Sequence, residues 1–532
     1  MEWLASRVIL LWGVRRAGLA VLAGALGALA QAPFSFVAAL FVSFTLLVWL
    51  MDGSATAPGS GMVARWRANF GVGWLFGFGY FVAGLWWLGN ALLVDADEFA
   101  WALPLAIFGL PAMLAIFYGF ATWLAGLFWS DGFGRIAALA AGFGLCEWLR
   151  SFLFTGFPWN AIGYGVMPIP VMMQSAQVVG LFGVTALAVF VLSAPALLGT
   201  RRGMAGGLLL AALLVVAHFG YGFYRLNQAP ALGMGGDDAT VVRIVQPVID
   251  QARKMDNSDR IDVFEEHLSL SALPPSPGAR RPDIIVWPET SVPFILTQNR
   301  DALTRIADVL QDGQILLAGV VRSEDGIPGQ PPRYYNSVYA IDSQGQIIAA
   351  ADKVHLTPFG EYLPFESFWN TLGIGNIVNM PGGFTSGASR TLVTLPSGQT
   401  FYPLICYEAI FPEEIGASVG RASALLNITN DAWFGNTPGP YQHFQQSRLR
   451  AVETGLPLIR GANSGISAII DSYGRIVRGL DFDQKGVIDS TLGGPAGSKW
   501  TNYSRQTHFW LIMLVLVLIA GVSRLGLKMR LN

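Results

Sequence analysis

The chain has 532 residues, of which 53% are hydrophobic and 13% charged. A soluble globular chain carries about 25% charged residues, so this composition points to the bilayer. A formal net charge of −1 excludes a global basic field and, with it, nucleic acid as a partner. Two cysteines and five scattered histidines offer no metal-ligand spacing, so neither a metal nor another cofactor is expected.

A membrane span needs about 20 mostly apolar residues. Seven such stretches precede residue 225, at 13–31, 33–51, 69–92, 99–129, 135–153, 168–199 and 204–223, and an eighth lies at 508–525. Between them, residues 225–505 have ordinary soluble composition. The expected division is therefore a membrane domain over 1–224, a catalytic domain over 225–505, and a final span with its tail over 506–532. Residues 1–30 end in Ala28-Leu29-Ala30, which resembles a signal-peptide cleavage site. A second hydrophobic segment follows at once, so retention as a span is expected.

Short loops fix the orientation. Arg7, Arg15 and Arg16 precede the first span; Arg65 and Arg67, Arg135, Arg201 and Arg202, and Arg524, Lys528 and Arg530 mark every second loop thereafter. The loop between the third and fourth spans carries Asp95, Asp97 and Glu98 instead. The positive-inside rule then puts both termini in the cytoplasm and 225–505 on the opposite side. Glu147 and Arg150 lie one helical turn apart at the end of the fifth span, placed either to pair with each other or to orient lipid head groups.

From residue 240 the pattern becomes apolar runs alternating with helical stretches, which predicts an α/β or α+β layer fold. Strands are expected at 241–247, 283–289, 314–321, 337–342, 345–353, 401–408, 424–430 and 467–477, and helices at 258–271, 299–311, 411–419 and 440–455. Three segments at strand ends carry chemistry, where α/β folds place reactive groups. They are Trp287-Pro288-Glu289, the run KVHLTPFGEYLP with Lys353 and Glu361, and Ile405-Cys406-Tyr407-Glu408. Each has a structural reading: a small buried thiol, a turn carboxylate, a solvated lysine. Cys146, however, falls in a predicted span, which leaves Cys406 unpaired in an exported and oxidising compartment. Its thiol needs an activator, because only the thiolate attacks. His355 or His443 brought in from elsewhere is one solution, and a carboxylate base with a lysine to hold negative charge is the other.

At these residues the chain resembles the nitrilase superfamily, whose triad is Glu, Lys and Cys in the order of Glu289, Lys353 and Cys406. More closely still, it resembles the apolipoprotein N-acyltransferase family over its whole length. EWLRSFLFTGFPWNAIGY (147–164) is similar to that family's membrane signature, and KVHLTPFGEYLP (353–364), NITNDAWFG (427–435) and RGANSGIS (460–467) to its catalytic motifs. One departure stands at Met255, where similar proteins often carry Trp.

The resemblance implies an αββα sandwich facing the periplasm from a bacterial inner membrane. It also implies ping-pong transfer of an acyl chain, from a phospholipid donor to Cys406 as a thioester, then to the amine of a diacylated apolipoprotein acceptor. Glu361, Tyr407 and Glu408 are expected to support the triad. For Glu408 the rival duty is capping a helix near 411. Trp433, Phe434 and Tyr362 are candidates for substrate contact, the first two with core packing as the alternative. Residues 362–380 are expected to form a membrane-proximal lid. A membrane-tethered amidase would share the triad, whereas a transporter would place ionisable groups at mid-span, and here the spans hold charge only near their ends.

Overall fold

The computed structural model describes the chain except for residues 55–61, 234–238, 256, 276–278, 327–331, 365–370, 372–382, 498–500 and 532, and the side chains of 62, 255, 257 and 527–531. The expected lid thus lies almost wholly outside the described residues, as does the Met255 side chain. Two compact units emerge. One joins Met1–Gly89, Trp101–Gln228 and Trp500–Asn532; the other joins Asn90–Ala100 to Ala229–Lys499.

In the first unit, five helices among the described residues are long and apolar enough to cross a membrane: Val63–Leu93, Ala96–Leu127, Ala176–Gly199, Met204–Asn227 and Asn502–Gly526. The other three expected spans coincide with shorter helices, Gly13–Ala28, Ala38–Asp52 and Gly134–Arg150, of 16, 15 and 17 residues. At 1.5 Å per residue these run roughly 23–26 Å, somewhat less than the ~30 Å hydrocarbon core. Glu147 and Arg150 pair with each other, Nη2 to Oε1 at 3.2 Å, and both are buried. Tyr118 donates its hydroxyl to Glu147 at 2.6 Å, the Ile162 N–H donates to Glu147 at 3.1 Å, and Arg150 donates to the Trp159 carbonyl at 2.9 Å. The 147–164 signature is therefore a turn folded around one buried ion pair, because charges placed among apolar helices must satisfy each other.

The second unit is a four-layer αββα sandwich. One sheet has the order β12-β1-β2-β3-β4-β5 and the other β11-β10-β9-β8-β7-β6. In chain order the strands of the first sheet are β1 (Val241–Gln246), β2 (Ile284–Val286), β3 (Ile315–Glu324), β4 (Arg333–Asp342), β5 (Ile347–Asp352) and β12 (Gly486–Thr491). Those of the second are β6 (Val393–Thr394), β7 (Thr400–Ile405), β8 (Ala424–Thr429), β9 (Leu458–Ala462), β10 (Ser467–Ile470) and β11 (Ile476–Leu480). Strands β1, β2 and β3 pair in parallel, as do β7, β8 and β9. Their near-continuous apolar runs follow from burial on both faces. Val242, Ile244, Val286, Leu317, Ile405, Leu426, Ile428 and Ile459 fill the space between the sheets. The outer face of the first sheet packs Phe264 and Leu268 of helix Arg260–Ser271 and Ala302 and Ile306 of helix Arg300–Val309. That of the second packs Phe444 and Ala451 of helix Pro438–Thr454.

Two expected elements differ. Residues 467–477 form not one strand but the hairpin β10–β11. Its turn is closed by Asp471 Oδ1, which accepts from the N–H groups of Tyr473 and Arg475, with Gly474 at φ +76°. Residues 411–419 form two 3-10 turns, Pro412–Glu414 and Ala417–Arg421, rather than an α-helix. Tyr402 donates its hydroxyl to the Glu414 carbonyl and accepts from the Gly416 N–H, so the backbone spends its polar groups on a neighbouring strand instead of on a helical ladder. Strands β6, β9 and β12 and the short helix Gln251–Met255 were not among the expected elements.

Candidate active site

Strand ends gather the candidate residues. Glu289 follows β2, Lys353 follows β5, and Cys406 follows β7. The Glu289 turn is possible only because Gly319 of β3 lies under it. A Cβ at that position would stand 2.3 Å from the Pro288 carbonyl oxygen and 2.7 Å from Glu289 Cα. The backbone on the site side of these strands is held in sparsely populated conformations: Thr290 at φ +44°, Cys406 at φ +50° and Phe359 at φ +64°. Strain of this kind costs roughly 1–3 kcal/mol per residue and persists only where surrounding structure over-determines it.

Lys353 is buried, and its Nζ lies 2.8 Å from Glu361 Oε2 and 3.6 Å from Glu289 Oε1. Asn336 bridges the same two carboxylates, its Nδ2 donating to Glu289 Oε1 and to Glu361 Oε1 at 2.7 Å each. The other oxygen of Glu289 accepts from the Asn430 N–H at 3.0 Å, and that of Glu361 from the Thr357 N–H at 2.7 Å. Burial alone would lower the Lys353 pKa, yet the Glu361 and Glu289 carboxylates outweigh it and raise it, so Lys353 holds its charge. Cys406 is half-buried. Its thiol is pushed up by burial and by the Glu289 carboxylate, against the opposing pull of Lys353. The resting group is accordingly a neutral thiol, and attack requires a base.

Glu408, buried, ties two of these strand ends together. One oxygen accepts from the Val354 N–H at 2.8 Å and the His355 N–H at 3.0 Å, and the other from the Ile405 N–H at 2.7 Å. Arg390 pairs with it at 2.7 Å. Burial opposes its charge, but Arg390 and these N–H groups hold its pKa below the usual carboxylate range. It therefore spans the Lys353 and Cys406 segments instead of capping a helix at 411. Tyr407 is buried, with ring centroids 5.0 Å from Phe411 and 5.6 Å from His355. Trp433 and Phe434 are half-buried in the 3-10 turn Asp431–Phe434, so neither is core. The Phe434 carbonyl accepts from Asn90 Nδ2 at 3.0 Å, which ties the segment Asn90–Ala100 to this unit. Tyr362, also half-buried, closes a turn by accepting from the Phe359 N–H at 2.8 Å.

Both histidines have partners other than the sulfur. His355 pairs with Glu414 and stacks on Phe411 at 4.0 Å. His443 Nε2 lies 3.1 Å from the Cys406 carbonyl oxygen, and its Nδ1 2.8 Å from Asp431. Several neighbours escaped sequence reasoning. Lys254, in the short helix, donates to the Glu289 carbonyl at 2.8 Å, and burial pulls its pKa down to about 8. Asn336 and Thr429 were missed too. Their signal lies in strand pairing, which local pattern does not reveal. Among the described residues no group of three metal-ligating side chains occurs.

An αββα sandwich presenting Glu, Lys and Cys from strand ends defines a carbon–nitrogen hydrolase type of domain, and the family model described as carbon-nitrogen hydrolase matches residues 242–493. A second model, the apolipoprotein N-acyltransferase N-terminal domain, matches residues 23–194. Relatives named apolipoprotein N-acyltransferase from Agrobacterium fabrum (strain C58) and Rhizobium leguminosarum bv. trifolii (strain WSM2304) are each 65% identical, and one from Sinorhizobium medicae (strain WSM419) is 58% identical. Each alignment covers 100% of this chain and 100% of the relative. The chain belongs to the apolipoprotein N-acyltransferase family, and it is a membrane-associated acyltransferase with a nitrilase-like domain.

Proposed function

We propose that this enzyme moves an acyl chain from a glycerophospholipid to Cys406 as a thioester, and then to the α-amine of the diacylglyceryl-cysteine that begins an apolipoprotein. The observation that carries this reading is the buried Lys353 ammonium set between Glu289 and Glu361, next to a neutral thiol on a strained turn. Glu289 takes the thiol proton as the sulfur attacks the ester carbonyl. Lys353 and the backbone N–H of Tyr407 hold the oxyanion, one such donor being typically worth about 10²–10³ in rate. Glu289 then returns the proton to the departing lysophospholipid and later removes one from the incoming amine. Glu361 and Asn336 keep Lys353 and Glu289 in register, and Glu408 sets the spacing between the Lys353 and Cys406 segments. Trp433, Phe434 and Tyr362 contact the substrates.

The basic loops support a bacterial inner-membrane setting, with both termini cytoplasmic and the catalytic unit periplasmic. Intact mass after exposure of the purified protein to phospholipid tests the first half-reaction. The expected result is an acyl adduct that Cys406→Ala abolishes; an adduct surviving that substitution refutes the nucleophile. Adding a diacylated lipopeptide should discharge the adduct with amide formation, whereas release of free fatty acid alone would make the enzyme a hydrolase.

A further inference from the structure

Behind the nucleophile lies a buried polar chain that the triad mechanism does not use. The parallel pairing of β7 with β8 sets Leu404 opposite Asn427 and Ile405 opposite Ile428, so the next residues, Cys406 and Thr429, emerge side by side. Thr429 Oγ1 lies 3.2 Å from Cys406 Sγ and 3.0 Å from Asp431 Oδ1. A hydroxyl has one proton to donate, so it serves one of these acceptors at a time. Asp431 does not depend on it. His443 Nδ1 lies 2.8 Å from Oδ1, and Arg460 Nη2 donates to Oδ2 at 2.7 Å, with all three residues fully buried. Gly465 leaves the space this carboxylate occupies, since a Cβ there would meet Oδ2 at 2.2 Å.

We propose that Thr429 is a further catalytic residue, whose hydroxyl turns between Asp431 and Cys406 Sγ to stabilise the sulfur whenever it carries negative charge. In the first half-reaction the S–H bond breaks and its proton passes to the Glu289 carboxylate. The Thr429 hydroxyl turns to the sulfur, donating to it while a sulfur electron pair forms the S–C bond to the acyl carbon; the ester C–O bond then breaks, and Glu289 returns the proton to the departing lysophospholipid oxygen. No proton leaves Thr429, and once the thioester has formed the hydroxyl returns to Asp431. In the second half-reaction the amine gives a proton to Glu289 as the C–N bond forms, the S–C bond breaks, and the departing thiolate receives the same donor before taking that proton back from Glu289. Asp431 tolerates the loss of this bond because Arg460 donates to its Oδ2 and His443, in the tautomer that carries the proton on Nδ1, donates to its Oδ1. Burial would disfavour its charge, but Arg460 and His443 hold its pKa down to about 2, so it remains an acceptor at neutral pH.

The inference rests on the acyl-transfer reading only for the identity of the electrophile, so the test uses two of them. Alkylation of Cys406 by iodoacetamide, read by peptide mass at fixed pH, needs no lipid, and acylation by phospholipid is read by intact mass. A hydrogen bond to a charged group is worth about 10- to 100-fold in rate. Thr429→Val, near-isosteric but without the donor, is expected to slow both reactions by about that factor, and Thr429→Ser to run close to the unsubstituted enzyme. Thr429→Ala gives the same reading should the valine variant unfold. Unchanged rates in the variants lacking the hydroxyl overturn the proposal. So does a serine variant as slow as the valine one, which would assign the effect to packing of the γ-methyl. If the unsubstituted enzyme is alkylated yet never gains an acyl adduct, the donor assignment fails, and Thr429 is judged on alkylation alone.

Discussion

A single carboxylate, Glu408, shows how one residue couples stability to chemistry. It is buried, and it satisfies N–H groups on both the strand end that carries Lys353 and the strand end that carries Cys406. Those two ends belong to different sheets, so no ladder hydrogen bond joins them directly. Arg390 balances the charge and also reaches Glu414 at 3.1 Å. Glu408→Gln keeps the shape and one acceptor oxygen but replaces the other with an amide that has no use for N–H donors. It also leaves the half-buried Arg390 guanidinium without its nearer counter-ion. Breaking a buried pair in this way typically costs about 3 kcal/mol or more. The expected outcome is a lower melting temperature together with an acylation rate down by at least about tenfold, because Lys353 loses its fixed distance from the sulfur. A fall in melting temperature with full activity would reduce Glu408 to a purely structural brace.

At the scale of elements, chemistry is concentrated at strand ends, and the fit of one strand against the next turn decides where each side chain points. Gly319 of β3 is the clearest case, because the Pro288–Thr290 backbone lies where its Cβ would be. Trp287 and Ser291 donate their N–H groups to the Leu317 and Gly319 carbonyls on either side of Glu289, which pins the turn to the strand. Gly319→Ala must push that turn outward by a methyl's depth. The expected cost is about 1–3 kcal/mol in stability, typical of an overfilled site. Acylation should fall by about tenfold or more, since Glu289 moves away from both Lys353 and the thiol; thermal unfolding and adduct formation measure the two effects separately. Glu289, Lys353 and Cys406 were legible in the sequence, since each ends an apolar run and sits in a distinctive local motif. Asn336, Lys254 and Thr429 were not. Asn336 lies in mid-strand, and its function appears only when β4 pairs with β5. Thr429 acquires a role only because β8 lies next to β7. The β10–β11 hairpin left a readable mark in Asp471 and Gly474, but the apolar residues flanking it suggest one continuous strand. In 411–419, Pro412 and Gly416 were the local signs against a helix.

Across the whole molecule, two kinds of sequence are interleaved: helices apolar enough for lipid, and an αββα sandwich that carries the candidate site. In the membrane unit the buried Glu147 is held by Arg150 and Tyr118, consistent with helices that gain nothing from exposing charge to lipid. Its basic residues recur in alternate loops of the sequence, and the proposed orientation rests on this asymmetry, because positive residues near span ends resist translocation. A donor lipid and a lipid-bearing acceptor both reside in a membrane, so an enzyme that joins them gains from having its spans and its catalytic unit in one chain. The proposed orientation makes opposite predictions for two exposed positions, Arg201 between the sixth and seventh spans and Gln344 in the β4–β5 turn. In a Cys406→Ala background, Gln344→Cys should react with a membrane-impermeant maleimide added to intact spheroplasts. Arg201→Cys should react only after the membrane is permeabilised. Labelling of Arg201→Cys from outside, with Gln344→Cys protected, would invert the topology and put the thiol on the side where reducing conditions prevail. Lys353 and Glu289 would then keep their chemistry, but the absence of a disulfide partner for Cys406 would no longer mark it as reactive.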